Sequence, residues 1–297
     1  MDPGKLNIAV DSSMHSSAAA LFSEFGEVTV ADLNAELPID AEIIVVRTRN
    51  RLDRSFLEKL PRLKIIATAT SGTDHIDAEY AKSRGIKLIS APGANADSVA
   101  DYVMRMLFFA TDDAAYAAKL LRETKDFAGI KAANIRHEMN GRTMGIVALG
   151  AIGREIKKRA EAFGIQIKAY DPYNSDAKNS LEEGMKCDFV VVCAPLNKET
   201  DGMIAAKELA LMKKTAILVN VSRAELIDEN ALLEALRNSK IKAAILDCFR
   251  NEPEPSPFYD MENAICTPHI AGNSEEAKER SVKALYSAIK EHLKTSA

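Results

Sequence analysis

The sequence has no apolar run approaching the length needed to cross a bilayer, and no charged-then-apolar leader opens it, so a soluble, cytoplasmic protein is expected. It has little net charge, −4 over 297 residues, and no basic stretch interleaved with aromatics, which argues against nucleic acid as a partner. Cysteine is sparse. Cys187, Cys193, Cys248 and Cys266 form no C-x-x-C pair, and three of them lie in or beside apolar strand-like runs, which reads as buried, reduced thiols. No histidine, cysteine and carboxylate spacing suggests a metal site, so no metal is expected. There is no internal repeat and no low-complexity segment. What remains is a chain longer than one ordinary domain and suited to two, each able to bury its own core.

The most informative stretch runs from Met144 to Asp171. Gly145 to Leu149 is a short apolar run that reads as a strand. Gly150-Ala151-Ile152-Gly153 then opens a helix marked by Ile156, Ala160 and Phe163, Gly164 sits where a left-handed helix stop is wanted, and Ile165, Ile167 and Ala169 alternate as a second strand ending at Asp171. A helix N-terminus offers unpaired N–H groups and a positive dipole to a diphosphate. The carboxylate 18 residues past Gly153 can accept from both hydroxyls of a ribose, and it would repel a 2′-phosphate. The expected cofactor is therefore NAD. Ala148 stands where the first glycine of G-x-G-x-x-G belongs, and helix-on-strand packing alone could also select the two glycines that are present.

Strands are expected at Leu6 to Val10, Val28 to Val30, Ile43 to Val46, Lys64 to Ala69 and Ile86 to Ile89, with helices at Ala18 to Phe25 and Asp77 to Arg84. Repeated units of this length imply a parallel sheet covered on both faces, which binds ligands beyond the carboxyl ends of its strands. That rule picks out Arg47-Thr48-Arg49, Thr70-Ser71-Gly72 and Ala91 to Asn95. Ser98 to Asp101 fits a capping box for a long helix running on toward Leu121, and Glu123 to Arg142 reads as a polar, irregular connection. Six further strands are expected: the two just described, then Phe189 to Cys193, Ala216 to Val221, Ala243 to Leu246 and Ala264 to Cys266. Helices are expected at Lys207 to Met212 and Glu229 to Arg237. The last helix, Ser274 to Leu293, has no strand of its own to cover and is expected to return to the first domain.

Arg223, Asp247 and His269 each stand just past the carboxyl end of a strand in the sheet that opens with the glycine turn, and Glu252 follows in the proline-stiffened loop R-N-E-P-E-P-S-P. Hydride transfer to a carbonyl needs little from the protein, because a nicotinamide carries the electrons. A guanidinium at Arg223 suits the substrate carboxylate and carbonyl, an imidazole at His269 can give and take the proton, and Glu252 could orient and charge that imidazole. Taken singly, each would more often be a loop or surface residue; it is the joint placement that favours catalysis. His75 and His137 lack a comparable setting, and His15 and His292 read as surface residues.

The runs S-G-T-D-H-I-D, A-P-G-A-N-A-D-S-V-A-D, A-L-G-A-I-G, the P-L-N-K-E-T that begins at Pro195, V-N-V-S-R-A-E-L-I-D, L-D-C-F-R-N-E-P and T-P-H-I-A-G follow one another in that order. With them the chain resembles, across nearly its whole length, the D-isomer-specific 2-hydroxyacid dehydrogenase family. The resemblance implies an α/β protein of two doubly wound parallel-sheet domains. One is a flavodoxin-like substrate domain from 1–96 and 273–297, the other a Rossmann NAD-binding domain over 97–272, with the active-site cleft at the hinge and commonly a homodimer. It carries the catalytic Arg, Glu and His onto Arg223, Glu252 and His269. Cofactor contacts fall on Gly150, Ala151, Ile152, Gly153, Asp171 and Pro195, the nicotinamide-amide acid on Asp247, the substrate-carboxylate loop on Ser71-Gly72 and the loop asparagine on Asn95. The chain departs from the family at Ala148, Asp101, Cys193 and Ala224.

The run V-V-R-T-R-N-R-L-D looks like the phosphoglycerate dehydrogenase form of its region, and other runs are similar to erythronate-4-phosphate dehydrogenases. A phosphate needs fixed positive donors, which Arg47 and Arg49 could supply; the plainer reading is two solvated arginines near Asp53. The expected substrate is a small phosphorylated 2-hydroxy acid, 3-phosphoglycerate first. An unphosphorylated acid such as glyoxylate or hydroxypyruvate, and a non-enzymatic NAD(H)-sensing role like that of corepressors sharing this fold, are the alternatives.

Overall fold

The computed structural model of the chain describes residues 5–112, 114–133 and 137–295. The chain divides into two compact units, one formed by residues up to Ser98 with those from Gly272 onward, the other by Val99–Ala271.

The first unit is built on five parallel strands, β1 (Leu6–Asp11), β2 (Gly26–Ala31), β3 (Ile43–Val46), β4 (Ile65–Thr68) and β5 (Lys87–Ser90), in the order β2-β1-β3-β4-β5. The two-residue alternation of buried and exposed positions that marks a half-buried strand is missing in β3 and β4, because both of their faces are covered and every residue is buried. Ile43 and Val45 pack with Ile65 and Ala67 on one face, where α1 (Ser17–Phe22) supplies Phe22 and the C-terminal helix α11 (Glu275–Thr295) supplies Val282, Leu285 and Ile289. Ile44 and Val46 pack on the other, against Leu57 of α2 (Arg54–Glu58) and Ala81 of α3 (Ala78–Ser83). The last helix therefore belongs to the first unit, as its lack of a strand suggested.

In the second unit six parallel strands, β6 (Thr143–Val147), β7 (Gln166–Tyr170), β8 (Phe189–Val192), β9 (Ile217–Asn220), β10 (Ala243–Leu246) and β11 (Ala264–Cys266), lie in the order β11-β10-β9-β8-β6-β7. Period two again divides the core. Phe189, Val191, Val219 and Ile245 pack with Ile156 and Ala160 of α7 (Ala151–Ala162) and with Val103 and Leu107 of α4 (Ala96–Thr111). Val190, Val192, Leu218 and Leu246 pack with Met185 of α8 (Leu181–Met185), Leu209 of α9 (Ala206–Leu209), and Leu232 and Leu236 of α10 (Glu229–Arg237). The order reverses direction between β6 and β8, the switch point at which such sheets bind ligands.

Several sequence expectations are corrected here. The long helix toward Leu121 is two helices, ending at Thr111 and resuming as α5 (Ala114–Thr124), and Thr111 already bonds back to the Leu107 carbonyl through its hydroxyl. Because α4 begins at Ala96, Ser98 lies inside its first turn and is not the cap of a capping box. The connection over Glu123 to Arg142 holds a further helix, α6 (Phe127–Ala133); its residues 134–136 lie outside the described residues. The helices α2 and α8 were not expected, being only five residues each and held by caps: Asp53 accepts from the Phe56 N–H, and Ser180 with Glu183 forms a capping box. His15 is no free surface residue. Its Nδ1 lies 2.8 Å from Ser17 Oγ and its Nε2 3.2 Å from Glu275, so it joins the start of α1 to the start of α11.

Candidate active site

In the second unit the candidate residues gather along the carboxyl edge of the sheet, each delivered by the end of one strand. β6 stops at Val147. Ala148 follows with φ of 78°, a left-handed conformation that glycine adopts freely and alanine does not, so the position where the sequence departs from G-x-G-x-x-G still makes the turn such a glycine would make. Gly150 then caps α7. The two glycines serve different ends. A Cβ on Gly153 would stand 2.3 Å from the Ala148 carbonyl oxygen, so packing of helix on turn requires glycine there; a Cβ on Gly150 would meet nothing within 4 Å. Among the described residues, no atom crowds the space a side chain at Gly150 would take.

Asp171, just past β7, ties this turn down. Its Oδ2 accepts from the Leu149 N–H at 2.9 Å and its Oδ1 from the Tyr173 N–H at 2.9 Å, while Asn174 donates to the Leu149 carbonyl at 2.8 Å. Each carboxylate oxygen keeps a lone pair for an outside donor. The N-terminus of a 12-residue helix with Ala151 and Ile152 in its first turn, the bare Gly150 and the carboxylate at the end of the next strand fit the diphosphate and ribose of a dinucleotide. Cys193, at the end of β8, approaches the Ala148 carbonyl at 3.2 Å, and burial pushes its thiol up to about 12, so it stays protonated against the turn. Beyond it, the Pro195 carbonyl accepts from Thr200 Oγ1 at 2.7 Å.

β9 ends on Asn220, which is 1% exposed. Its Oδ1 accepts from the Ser222 N–H at 3.1 Å and its Nδ2 donates to the Arg223 carbonyl at 2.8 Å, while Ser222 Oγ donates to the Ala194 carbonyl, so the arginine loop is clamped to the neighbouring strand end. The Arg223 guanidinium donates to the Ser222 carbonyl at 2.9 Å, and its charge acts on both Glu252 and His269. The structure thus brings Arg223, Glu252 and His269 together.

His269 carries φ of 54°, so like Ala148 it is a non-glycine residue in the left-handed region. Asp247 holds the loop in that shape. It is 2% exposed, and it accepts from Thr267 Oγ1 at 2.6 Å, from the Ile270 N–H at 2.8 Å and from the Ala271 N–H at 2.8 Å. Burial raises its pKa and these donors oppose the rise. The resemblance implied an acid for the nicotinamide amide at Asp247; in the structure this carboxylate also holds the His269 loop, and its Oδ2, which among the described residues accepts only from the Ala271 N–H, keeps a lone pair. The His269 Nδ1 lies 3.0 Å from Glu252 Oε2, and Glu252 Oε1 accepts from the Phe249 N–H at 2.8 Å. The hydrogen bond to Glu252 raises the His269 pKa, with burial partly opposing it. Burial would raise Glu252, but the bonds to His269 and the Phe249 N–H outweigh it and hold the carboxylate below its ordinary value. Nε2 makes no hydrogen bond among the described residues.

In the first unit, Ser71 Oγ accepts from the Gly93 N–H at 3.1 Å and Thr70 Oγ1 donates to the Gly72 carbonyl at 2.8 Å, so the loops after β4 and β5 are stitched together. The Asn95 side chain packs against Gly272, where a Cβ would stand 2.8 Å from its Nδ2, and its Oδ1 is buried without a hydrogen-bond partner among the described residues. Arg47 and Arg49 part company. Arg49 is engaged with Asp11 and Asp32, whereas the partly buried Arg47 guanidinium pairs with no described residue. Asp53, the neighbour suggested for both, instead caps α2. Among the described residues no group of histidine, cysteine and carboxylate side chains could hold a metal.

Two parallel α/β units, the second with a dinucleotide-type turn facing an arginine, a glutamate and a histidine on successive strand ends, define a class of two-domain nucleotide-dependent dehydrogenases. The comparisons narrow it. Residues 104–271 match the D-isomer specific 2-hydroxyacid dehydrogenase, NAD binding domain, and the chain belongs to that family. It is 37% identical over 309 residues to a D-3-phosphoglycerate dehydrogenase of Methanocaldococcus jannaschii, covering 97% of this chain and 58% of that protein. It is 36% identical to a hydroxypyruvate reductase of Thermotoga maritima, covering 81% of each. Among solved structures it is similar to a D-lactate dehydrogenase from Aquifex aeolicus complexed with NAD and lactic acid, at 26% identity and a TM-score of 0.81, covering 97% of this chain and 96% of that one. The chain spans about half the length of the curated D-3-phosphoglycerate dehydrogenases it matches.

Asn220, Thr267 and Asp11 were missed by sequence reasoning. Each is polar and ends or follows an apolar strand, and that break in pattern was the available signal.

Proposed function

We propose that the protein is an NAD-dependent oxidoreductase that interconverts a D-2-hydroxy acid and its 2-keto acid, with a phosphorylated substrate and 3-phosphoglycerate first among them. The observation that carries this reading is the His269–Glu252 pair beside Arg223, on strand ends next to the glycine turn. A bound nicotinamide supplies or takes the hydride. The chain does the rest. Gly150 to Gly153 and Asp171 hold the diphosphate and ribose, and the Asp171 carboxylate disfavours a 2′-phosphate. Arg223 holds the substrate carboxylate and polarises the carbonyl. His269 Nε2 gives a proton to the carbonyl oxygen in reduction and takes it from the hydroxyl in oxidation, while Glu252 stabilises the imidazolium. Asp247 fixes the loop that presents the imidazole.

In the first unit, read as the substrate domain with Ser71, Gly72 and Asn95 toward the substrate carboxylate, the unpaired Arg47 guanidinium supports a distal phosphate. The M. jannaschii D-3-phosphoglycerate dehydrogenase supports the same substrate, and the T. maritima hydroxypyruvate reductase, matched over 81% of its length, favours an unphosphorylated acid as second reading. Nicotinamide absorbance with 3-phosphoglycerate, glycerate and hydroxypyruvate, each with the phosphorylated and unphosphorylated form of the cofactor, tests both. Equal kcat/KM for glycerate and 3-phosphoglycerate refutes the phosphate, and near-normal turnover in His269→Ala refutes the proton relay.

The protein acts as a homodimer in the cytoplasm on this reading. Helices α5 and α6 bury no residue of their own, and Tyr116, Phe127 and Phe109 of α4 are all exposed, large apolar side chains that a second copy would cover. No described helix is long and apolar enough to cross a membrane. A monomer by light scattering at micromolar concentration would refute the dimer.

A further inference from the structure

Two arginines two residues apart at the carboxyl edge of the first sheet are in opposite states. Asp11 ends β1 with no exposed surface, and it accepts from the Ser13 N–H at 3.0 Å and from Ser13 Oγ. It also takes Asn50 Nδ2 at 2.9 Å, and Arg49 through Nε at 2.9 Å and Nη2 at 3.0 Å. Arg49 Nη2 reaches Asp32 as well, at 2.9 Å. Arg49 is therefore neutralised by two carboxylates through Nε and Nη2, which are the only guanidinium nitrogens it uses among the described residues. β3 lies next to β1 and stops at Val46, so Arg47 leaves the same edge; its N–H donates to Asn50 Oδ1 at 3.1 Å, which fixes its backbone to the Asp11 network. Its guanidinium has no partner among the described residues, although the charge of Asp11 acts on it. Taking a guanidinium partly out of water without a partner is unfavourable, so its retention points to an anion that arrives from outside.

We propose that Arg49 is a positioning residue that never touches substrate: by saturating Asp11 it keeps that carboxylate from capturing Arg47, and so leaves Arg47 free for the distal anion of the substrate. The inference rests on the phosphorylated-substrate reading. Without Arg49, Asp11 is a buried carboxylate missing its counter-charge, and Arg47 is the cation at hand to replace it.

The readout is the ratio of kcat/KM for 3-phosphoglycerate to that for glycerate, with NADH affinity and melting temperature as checks on folding. Arg47→Ala lowers the ratio by about tenfold or more, as expected for a lost charge-assisted contact. Arg49→Ala lowers it by a similar factor. Asp11→Asn combined with Arg49→Ala restores it to within about threefold of the wild type, because a neutral amide does not hold Arg47. If Arg49 itself met the phosphate, the double variant would be as impaired as Arg49→Ala, and the proposal falls. A ratio left unchanged by Arg47→Ala overturns the phosphorylated-substrate reading itself, a result distinct from failure of the rescue. Should Arg49→Ala not fold, Arg49→Lys and Arg49→Gln take its place: lysine still neutralises Asp11 and keeps the ratio high, glutamine lowers it, and equal ratios for the two overturn the proposal.

Discussion

Replacing Gly150 and Gly153 separately by alanine distinguishes what the turn needs in order to fold from what it needs in order to bind. At Gly153 the new Cβ stands 2.3 Å from the Ala148 carbonyl oxygen, a backbone atom that cannot swing aside. Such overpacking costs about 1–3 kcal/mol, and the gain from alanine in a helix returns at most roughly 1 kcal/mol, so Gly153→Ala loses up to about 2 kcal/mol of stability even when that gain is counted in full. At Gly150 the Cβ meets nothing within 4 Å and φ is −76°, which alanine adopts without strain. Loss of the N-cap preference and gain from a stiffer unfolded chain are each under about 1 kcal/mol and opposite in sign, so the stability of Gly150→Ala stays within about 0.5 kcal/mol of the wild type. If a diphosphate lies against that bare backbone, the methyl group keeps it away, and NADH affinity falls by about tenfold or more, which is 1.4 kcal/mol. Urea unfolding followed by circular dichroism measures the first quantity, and NADH fluorescence titration the second. A Gly150→Ala protein that binds NADH as tightly as the wild type would show that nothing approaches Gly150, and the dinucleotide assignment of this turn would fail.

Three further expectations follow from the same edge of the sheet. Asp247→Asn turns an amide N–H₂ toward a donor, either the Ala271 N–H or the Ile270 and Thr267 pair, and loses about 1–3 kcal/mol for a buried group left without its partner; a shift in the urea midpoint equivalent to less than about 0.5 kcal/mol refutes the clamp. Because Glu252 raises the His269 pKa, protonated His269 persists above its ordinary 6.5, and the rate of keto-acid reduction falls as pH rises through the raised value. Glu252→Gln moves that falling limb to lower pH, and an unmoved limb refutes the pairing. The same shift has a stability sign. The His269 contribution is complete below its unfolded pKa and is lost as pH rises through the folded one, while that of Glu252 is present above its unfolded value and is lost as pH falls through the depressed one. His269→Gly abolishes turnover and melts within a few degrees of the wild type, since relief of the left-handed φ of 54° offsets the lost bond to Glu252; a loss much larger than that of Glu252→Gln would show that the loop depends on the imidazole for its shape.

The alternation of apolar runs and polar breaks was enough to read two parallel sheets and the number of strands in each, because burial on both faces forces continuous runs such as Ile43 to Val46 and Phe189 to Val192. The glycine turn, Asp171, Arg223, Glu252 and His269 could be picked out as candidates for a related reason: ligand-facing residues in such sheets follow strand ends, and strand ends show in the pattern. Short capped helices such as α2 and the break after Thr111 were not, since five residues give too little periodicity and a helix break can come from tertiary contacts. The partners of individual charges lay furthest out of reach. Arg47 and Arg49 look alike in V-V-R-T-R-N, and which is neutralised depends on Asp11, 38 residues before Arg49, arriving beside β3 in the assembled sheet. In the same way, nothing local marks Asp247 as the support of the His269 loop; its carboxylate meets those N–H groups only because β10 and β11 lie side by side. The sequence by itself determined which chemical groups the protein carries and at which edge they emerge; the tertiary structure decided which of them are spent on one another and which are left for a ligand, because hydrogen bonds and ion pairs join residues that only folding brings within a few ångströms.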